Sequence, residues 1–187
     1  TFGVQIVRLE DELEAGPSIV LIMTDITIRR SQEQQLAHQA THDVLTGLPN
    51  RAMLEEALAR SLSRCARSGS RCALLYIDVD GFKEVNDRLG HDAGDIVLRT
   101  IAARLMRVCR LNDVVARIGG DEFVILVEDS SRPEELLSLT DRVLDEVRQP
   151  IHMGSDEIVI TASIGIALTP EQGPMPVNDN LVHDADT

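Results

Sequence analysis

The chain of 187 residues has no tryptophan, one tyrosine and three phenylalanines. So few aromatic rings leave no stacking platform of the kind single-strand nucleic-acid binders use. Basic residues are also short. Eighteen Lys and Arg against 31 Asp and Glu give a net charge of −13. Such a field repels a phosphate backbone, so no nucleic-acid partner is expected. The apolar run Ile19 to Met23 is far too short to cross a bilayer, and no charged-then-apolar leader pattern opens the chain. No membrane contact is expected from it. Three cysteines, Cys65, Cys72 and Cys109, are odd in number and lack CxxC spacing. Reduced thiols in a cytoplasmic protein are the expected state. A chain of this length buries about two thirds of its unfolded surface, enough for a core without staples.

Three segments differ in character. Residues 1–27 contain the apolar, β-rich run Ser18 to Thr24 after an acidic stretch punctuated by Gly16 and Pro17, and read as the last strands of a larger unit. Residues 28–40 are polar and rich in helix formers, with Ile28, Leu36 and Ala40 as a thin apolar stripe. A connector helix or half of a dimeric coiled coil fits equally, the connector being the plainer choice. From Thr41 the pattern is regular. Pro49 is expected to open a helix that Gly69 ends, followed by a wholly apolar strand, Ala73 to Ile77. A polar stretch from Asp78 to Asp95 leads to a second helix. Strands Val114 to Ile118 and Phe123 to Val127 flank a Gly119-Gly120 turn. A capping box at Ser131 to Glu134 opens a third helix, and Ile158 to Leu168 reads as one closing strand. This order predicts a layered α/β domain with a mixed sheet.

Carboxylates stand at the ends of these elements: Asp78 and Asp80 after an apolar strand, Asp95 at a helix start, Asp121 and Glu122 after the glycines. Turn chemistry, a cap and a solvated tip explain each one singly. Asp78 and Asp121 together ask for more, since each adjoins a central strand. Two converging carboxylates repel unless a cation lies between them, and hard oxygen donors favour Mg²⁺. The turn Asp80-Gly81-Phe82-Lys83 exposes backbone N–H groups that can cradle phosphate, with Lys83 adding charge. Asn86 and Asp95 supply an amide and a carboxylate, a pair suited to a guanine edge. Gly119-Gly120 suits a bare hairpin as well as close ligand approach.

Five ordered segments carry a resemblance: Asp43-Val-Leu-Thr-Gly-Leu-Pro-Asn-Arg51, Asp78-Val-Asp-Gly-Phe-Lys-Glu-Val-Asn-Asp87, Gly90-His-Asp-Ala-Gly-Asp95, Ala116-Arg-Ile-Gly-Gly-Asp-Glu-Phe123 and Thr161-Ala-Ser-Ile-Gly-Ile166. Residues 41–187 thereby resemble the GGDEF family of bacterial diguanylate cyclases. Asp25-Ile-Thr27 resembles the close of a PAS/PAC sensory domain. The resemblance implies an α+β fold with a largely antiparallel sheet, related to the nucleotidyl-cyclase and polymerase palm. It also implies condensation of two GTP into cyclic di-GMP and two pyrophosphates. Asp78, the Val79 carbonyl and Asp121 would hold two Mg²⁺, with Mn²⁺ as a possible substitute. Asn86 and Asp95 would read guanine beside His91, while Gly81, Phe82 and Lys83 would meet the phosphates. Asp121 or Glu122 would assist deprotonation of the attacking hydroxyl.

Because the product is two-fold symmetric, two protomers must meet face to face, and a homodimer is expected. Arg110 and Asp113 form an RxxD that the family uses to bind cyclic di-GMP as an inhibitor; a helix-end Arg and a turn Asp is the compatible plain reading. Asp184-Ala-Asp-Thr187 resembles the first turn of a helix that, in the family, leads to a Lys and an Arg gripping the triphosphate. Those two are absent from this chain. The competing reading is a regulatory module that binds GTP or cyclic di-GMP and controls a neighbouring phosphodiesterase domain.

Overall fold

The computed structural model of the chain describes residues 2–9, 18–128, 132–154 and 156–169. It divides into two units, Thr1–Ala40 and Thr41–Thr187. In the first, β1 (Phe2–Leu9) and β2 (Ser18–Asp25) pair antiparallel, from Phe2 opposite Asp25 to Leu9 opposite Ser18. The helix α1 (Thr27–Thr41) follows at once. Asp25 accepts the Thr27 backbone N–H at 2.9 Å, the bond that an acidic cap supplies to an orphan first-turn donor. Ile28 and Leu36 of the thin apolar stripe are exposed.

In the second unit, α2 (Arg51–Ser68) precedes β3 (Ala73–Asp80), α3 (Phe82–Leu89), α4 (His91–Val108), β4 (Val114–Gly119) and β5 (Glu122–Val127). Then come α5 (Pro133–Val147), β6 (Ile151–Met153), β7 (Asp156–Ile158) and β8 (Thr161–Leu168). The main sheet has the order β4-β5-β3-β8, and every neighbouring pair in it is antiparallel. This is the expected α+β class. The central strand β3 is apolar without alternation because both its faces are covered. Leu75, Ile77 and Val79 pack with Phe123 and Ile125 beneath α4 and α5, against Val97, Ile101, Leu105, Val143 and Val147. Leu74 packs on the opposite face with Ala116, Val124 and Leu126, against Leu54, Ala57 and Cys65 of α2. Each such side chain contributes about 1.5–3 kcal/mol of burial, so this sandwich fixes where the strand ends lie.

Four expectations are corrected. Asn50, not Pro49, sets the start of α2: its Oδ1 accepts the Met53 N–H at 3.1 Å, while Pro49 bridges back to His42. The strand expected to stop at Ile77 runs on to Asp80, and the eight residues of α3 lie within the polar stretch that follows. Asp95 therefore lies beyond the first turn of α4, whose cap position is Gly90. The expected closing strand is two, because Val159 and Ile160 separate β7, which pairs with β6, from β8, which pairs with β3. Ser131 of the expected capping box lies outside the described residues. Arg132 occupies the cap with no side-chain bond, and Pro133 supplies the start signal. The segment after Pro170, with Asp184 to Thr187, also lies outside them.

Candidate functional site

The C-terminal end of β3 meets the β4–β5 hairpin. Gly119 pairs with Glu122, so the two-residue turn is Gly120-Asp121 and not the expected Gly119-Gly120, because β4 runs on to Gly119 and β5 starts at Glu122. A register shift between Arg117 and Gly119 adds a bulge at the hairpin tip, a device that re-aims side chains near sites. On the other side of β5, Asp78 stands directly opposite Glu122. Side chains so placed have Cβ atoms about 5 Å apart, and like charges there repel. Asp78 and Glu122 are exposed and Asp121 is half-buried one residue farther on. Reading the sequence pairs Asp78 with Asp121; the register makes Glu122 its cross-strand partner, a relation that only the turn length reveals. Half-buried Tyr76 is pushed above its usual pKa by burial first, and the Glu122 and Glu55 carboxylates add to that.

The hairpin tip is fixed from behind. Arg117 donates to the Gly120 carbonyl from Nε at 2.9 Å and from Nη2 at 2.6 Å, and from Nη1 to Asp43 Oδ1 at 2.8 Å. The Arg117 and Asp43 side chains are only 12% and 24% exposed. Asp43 also accepts the Thr46 backbone N–H at 2.8 Å and its hydroxyl at 2.6 Å. Burial alone would raise the Asp43 carboxyl, but these donors hold it below its ordinary value. The first signature segment thus folds into a turn that braces the fourth.

Beyond β3, Gly81 takes φ +73° and starts the turn into α3. Phe82 joins the core edge and Lys83 is exposed. Asn86 lies against α4 so closely that a Cβ on Gly94 would sit 2.1 Å from its Oδ1. Asp95 follows Gly94 and pairs with Arg99 at 3.4 Å; His91 is the exposed first residue of α4. The structure therefore brings Asn86 beside the turn that carries Asp95. Gly94, Arg117, Asp43, Thr161 and Ser163 carry the arrangement without having been singled out as functional residues.

Arg110 and Asp113 lie at the other end of β4. The Asp113 carboxylate accepts the Arg110 backbone N–H at 2.8 Å, and the Arg110 guanidinium pairs with Glu135 at 3.1 Å. A small recess of about 20 Å³ opens there, bordered by both residues together with Glu135 and Arg142. Neighbouring Cys109 is pushed up to about 12 by burial first, then by Asp113. Cys72 rises to about 11 by burial, with Cys65 adding to it. Neither thiol is a nucleophile in that state.

The donor set at the β3 end is all oxygen, which suits a hard divalent cation. Among the described residues no three His, Cys, Asp or Glu side chains converge to hold a metal by themselves. A cation here would need backbone carbonyl or phosphate oxygens to complete its shell. No described helix is long and apolar enough to cross a membrane.

The diguanylate cyclase TpbB of Pseudomonas aeruginosa is 44% identical over 158 residues, which are 84% of this chain and 36% of TpbB. A solved structure of the TpbB GGDEF domain superposes with a TM-score of 0.71 at 43% identity, covering 78% of this chain and 84% of that one. The bifunctional diguanylate cyclase/cyclic di-GMP phosphodiesterase MucR of the same species is 39% identical over 88% of this chain and 23% of its own length. The coiled coil and GGDEF domain of DgcB from Caulobacter crescentus, solved with cyclic di-GMP, gives a TM-score of 0.70 at 28% identity, covering 79% and 78% of the two chains. The chain thus spans about a third or less of the curated relatives it matches. Residues 40–187 match the diguanylate cyclase GGDEF domain, and the chain belongs to that family.

Proposed function

We propose that this protein condenses two GTP into cyclic di-GMP and two pyrophosphates within a sensory signalling protein. The observation that carries the reading is the register that sets Asp78 against Glu122 with Asp121 at the adjoining tip. Asp78, Asp121 and Glu122 crowd like charges at one strand end, and a dication bound there with further oxygen donors would relieve that repulsion. Asp78, the Val79 carbonyl and Asp121 are the residues assigned to two Mg²⁺, or Mn²⁺. When bound, these ions supply activation of a 3′-hydroxyl and charge neutralisation on a pyrophosphate leaving group.

The chain's own groups do the rest. Asn86 and Asp95 hold the guanine edge, with His91 bordering that pocket, which fixes the nucleotide's orientation. The N–H groups at Gly81 and Phe82, with Lys83, hold the phosphates by aimed donors and local charge, since the overall field is unfavourable. A ribose 3′-oxygen attacks the α-phosphorus in line; a P–O bond forms, the bond to pyrophosphate breaks, and the hydroxyl proton passes to Asp121 or Glu122. Each protomer of a homodimer presents its nucleotide to the other's, twice, to close the ring. Arg110 and Asp113 are assigned to product binding and inhibition.

Residues 1–27 fit the end of a PAS/PAC-like sensory domain, and 28–40 a connector that transmits its state to dimer geometry. The free cysteines Cys65, Cys72 and Cys109 agree with a cytoplasmic, reducing location. A second reading, a regulatory GTP- or cyclic di-GMP-binding module beside a phosphodiesterase domain, is favoured by the likeness to the bifunctional MucR. The deciding experiment incubates the full-length protein with GTP and Mg²⁺ and assays cyclic di-GMP, with Asp121→Ala beside it. Product that Asp121→Ala abolishes supports the cyclase; GTP binding without turnover supports the module.

A further inference from the structure

Asp80 is the carboxylate at the β3 terminus that the proposed chemistry leaves unused. Two residues beyond Asp78, it projects from the same strand face, about 6–7 Å farther along. A free carboxylate at that distance could swing toward any cation held at Asp78. It is not free. Thr161 Oγ1 donates to Asp80 Oδ2 at 2.7 Å and Ser163 Oγ donates to Oδ1 at 2.8 Å. Each carboxylate oxygen accepts one hydroxyl from β8. The register explains why both reach it: Asp80 opposes Thr161 and Asp78 opposes Ser163, so Ser163 bonds diagonally past the residue it faces. This is the last rung of the β3–β8 ladder, and Gly81 begins the turn toward Lys83 directly after it.

We infer that Thr161 and Ser163 are positioning residues that hold the Asp80 carboxylate out of the cation site and anchor the β3–α3 turn. The inference rests on the reading of Asp78 as a cation ligand. It gives the Thr161-Ala-Ser-Ile-Gly-Ile166 segment, which contributes no group to the reaction, a purpose. With Asp80 withheld, the cation meets fewer carboxylates and keeps positions open for phosphate oxygens. With Asp80 anchored, the N–H groups after it keep a fixed aim.

The test measures Mn²⁺ binding by paramagnetic resonance in the full-length protein with a non-hydrolysable GTP analogue, together with kcat and KM for GTP. Asp80→Asn keeps both hydroxyl bonds, its amide accepting one and donating the other, so Mn²⁺ affinity should stay within about threefold, whereas Asp78→Asn should lose about a hundredfold. Thr161→Val with Ser163→Ala releases Asp80, and should shift Mn²⁺ affinity and lower kcat by about ten- to a hundredfold. Thr161→Ser, which retains the hydroxyl, should restore wild-type values. If the double variant does not fold, Thr161→Val alone carries the same expectation. Asp80→Asn losing Mn²⁺ as steeply as Asp78→Asn would make Asp80 a ligand and overturn the inference. Wild-type Mn²⁺ affinity and kcat in a folded hydroxyl-less variant would overturn it too. Unchanged Mn²⁺ affinity in Asp78→Asn instead defeats the cation reading, and this inference with it.

Discussion

Substituting Gly94 by alanine separates two opposing effects in a single methyl group. In an exposed helix interior the change stabilises by about 1 kcal/mol, because glycine loses more backbone entropy. At this position the new Cβ would lie 2.1 Å from Asn86 Oδ1, 3.0 Å from its Cγ and 3.1 Å from Phe82 Cζ. Ordinary contact begins near 3.4 Å, so Asn86 must withdraw by more than 1 Å. Overpacking of this kind costs about 1–3 kcal/mol, which the helix-propensity gain offsets in part. The expected net loss is about 1 kcal/mol, a fall in Tm of about 2–4 °C for a unit of this size. Function should suffer more than stability. A displacement of about 1 Å in a group that orients substrate costs about a hundredfold in kcat/KM. Most of that loss should fall on KM for GTP, since Asn86 is read as a base-binding group. The assay is initial-rate cyclic di-GMP formation, repeated in an Asn86→Ala background. There the clash with Asn86 is gone and only the milder 3.1 Å approach to Phe82 Cζ remains, so Gly94→Ala should cost little further. A Gly94→Ala protein with wild-type KM, or one with an equal additional loss in the Asn86→Ala background, would refute the steric account.

Three further outcomes follow from the geometry and the site assignments. Arg117→Ala removes both donors to the Gly120 carbonyl and leaves Asp43 with Thr46 alone, so thermal unfolding should fall by about 2 kcal/mol and cyclase activity with it; an unchanged Tm would show that the brace is not structural. The Asp43 carboxyl titrates below its ordinary 3.8 when folded, so its contribution is complete above that value and is lost as pH falls through the folded pKa. Urea unfolding should therefore show Asp43→Asn clearly destabilised at pH 6, with the gap to wild type narrowing steadily as the pH is taken below 3.8; a difference independent of pH contradicts the sign. Arg110→Ala should abolish inhibition by cyclic di-GMP while leaving the initial rate nearly intact, and retained inhibition with a lost rate would remove Arg110 from the product site.

How much of this was legible depends on where each polar group finds its partner. Long elements with one covered face, α2, α4 and the strands of the main sheet, follow from apolar spacing alone. The helix α3 does not, because eight residues give barely two turns and its single buried residue, Val85, sets no period. The break at Val159 and Ile160 is equally silent, since an apolar run reads the same whether its residues pair with β3 or turn away. Within the site, Asp78, Asp121, Glu122 and Lys83 stand out because each is a charge at an element end with no neighbour in sequence to account for it. Asp43, Arg117, Thr161 and Ser163 look like ordinary turn and strand residues, and the bonds of Asp80 stay hidden, because the partners are remote: 74 positions separate Asp43 from Arg117 and 81 separate Asp80 from Thr161. A carboxylate whose hydrogen bonds are filled from a distant strand is indistinguishable, in sequence, from one awaiting a cation. Asp80 shows why: it is β8, through Thr161 and Ser163, and not anything in the Asp-Val-Asp segment itself, that fills its hydrogen bonds.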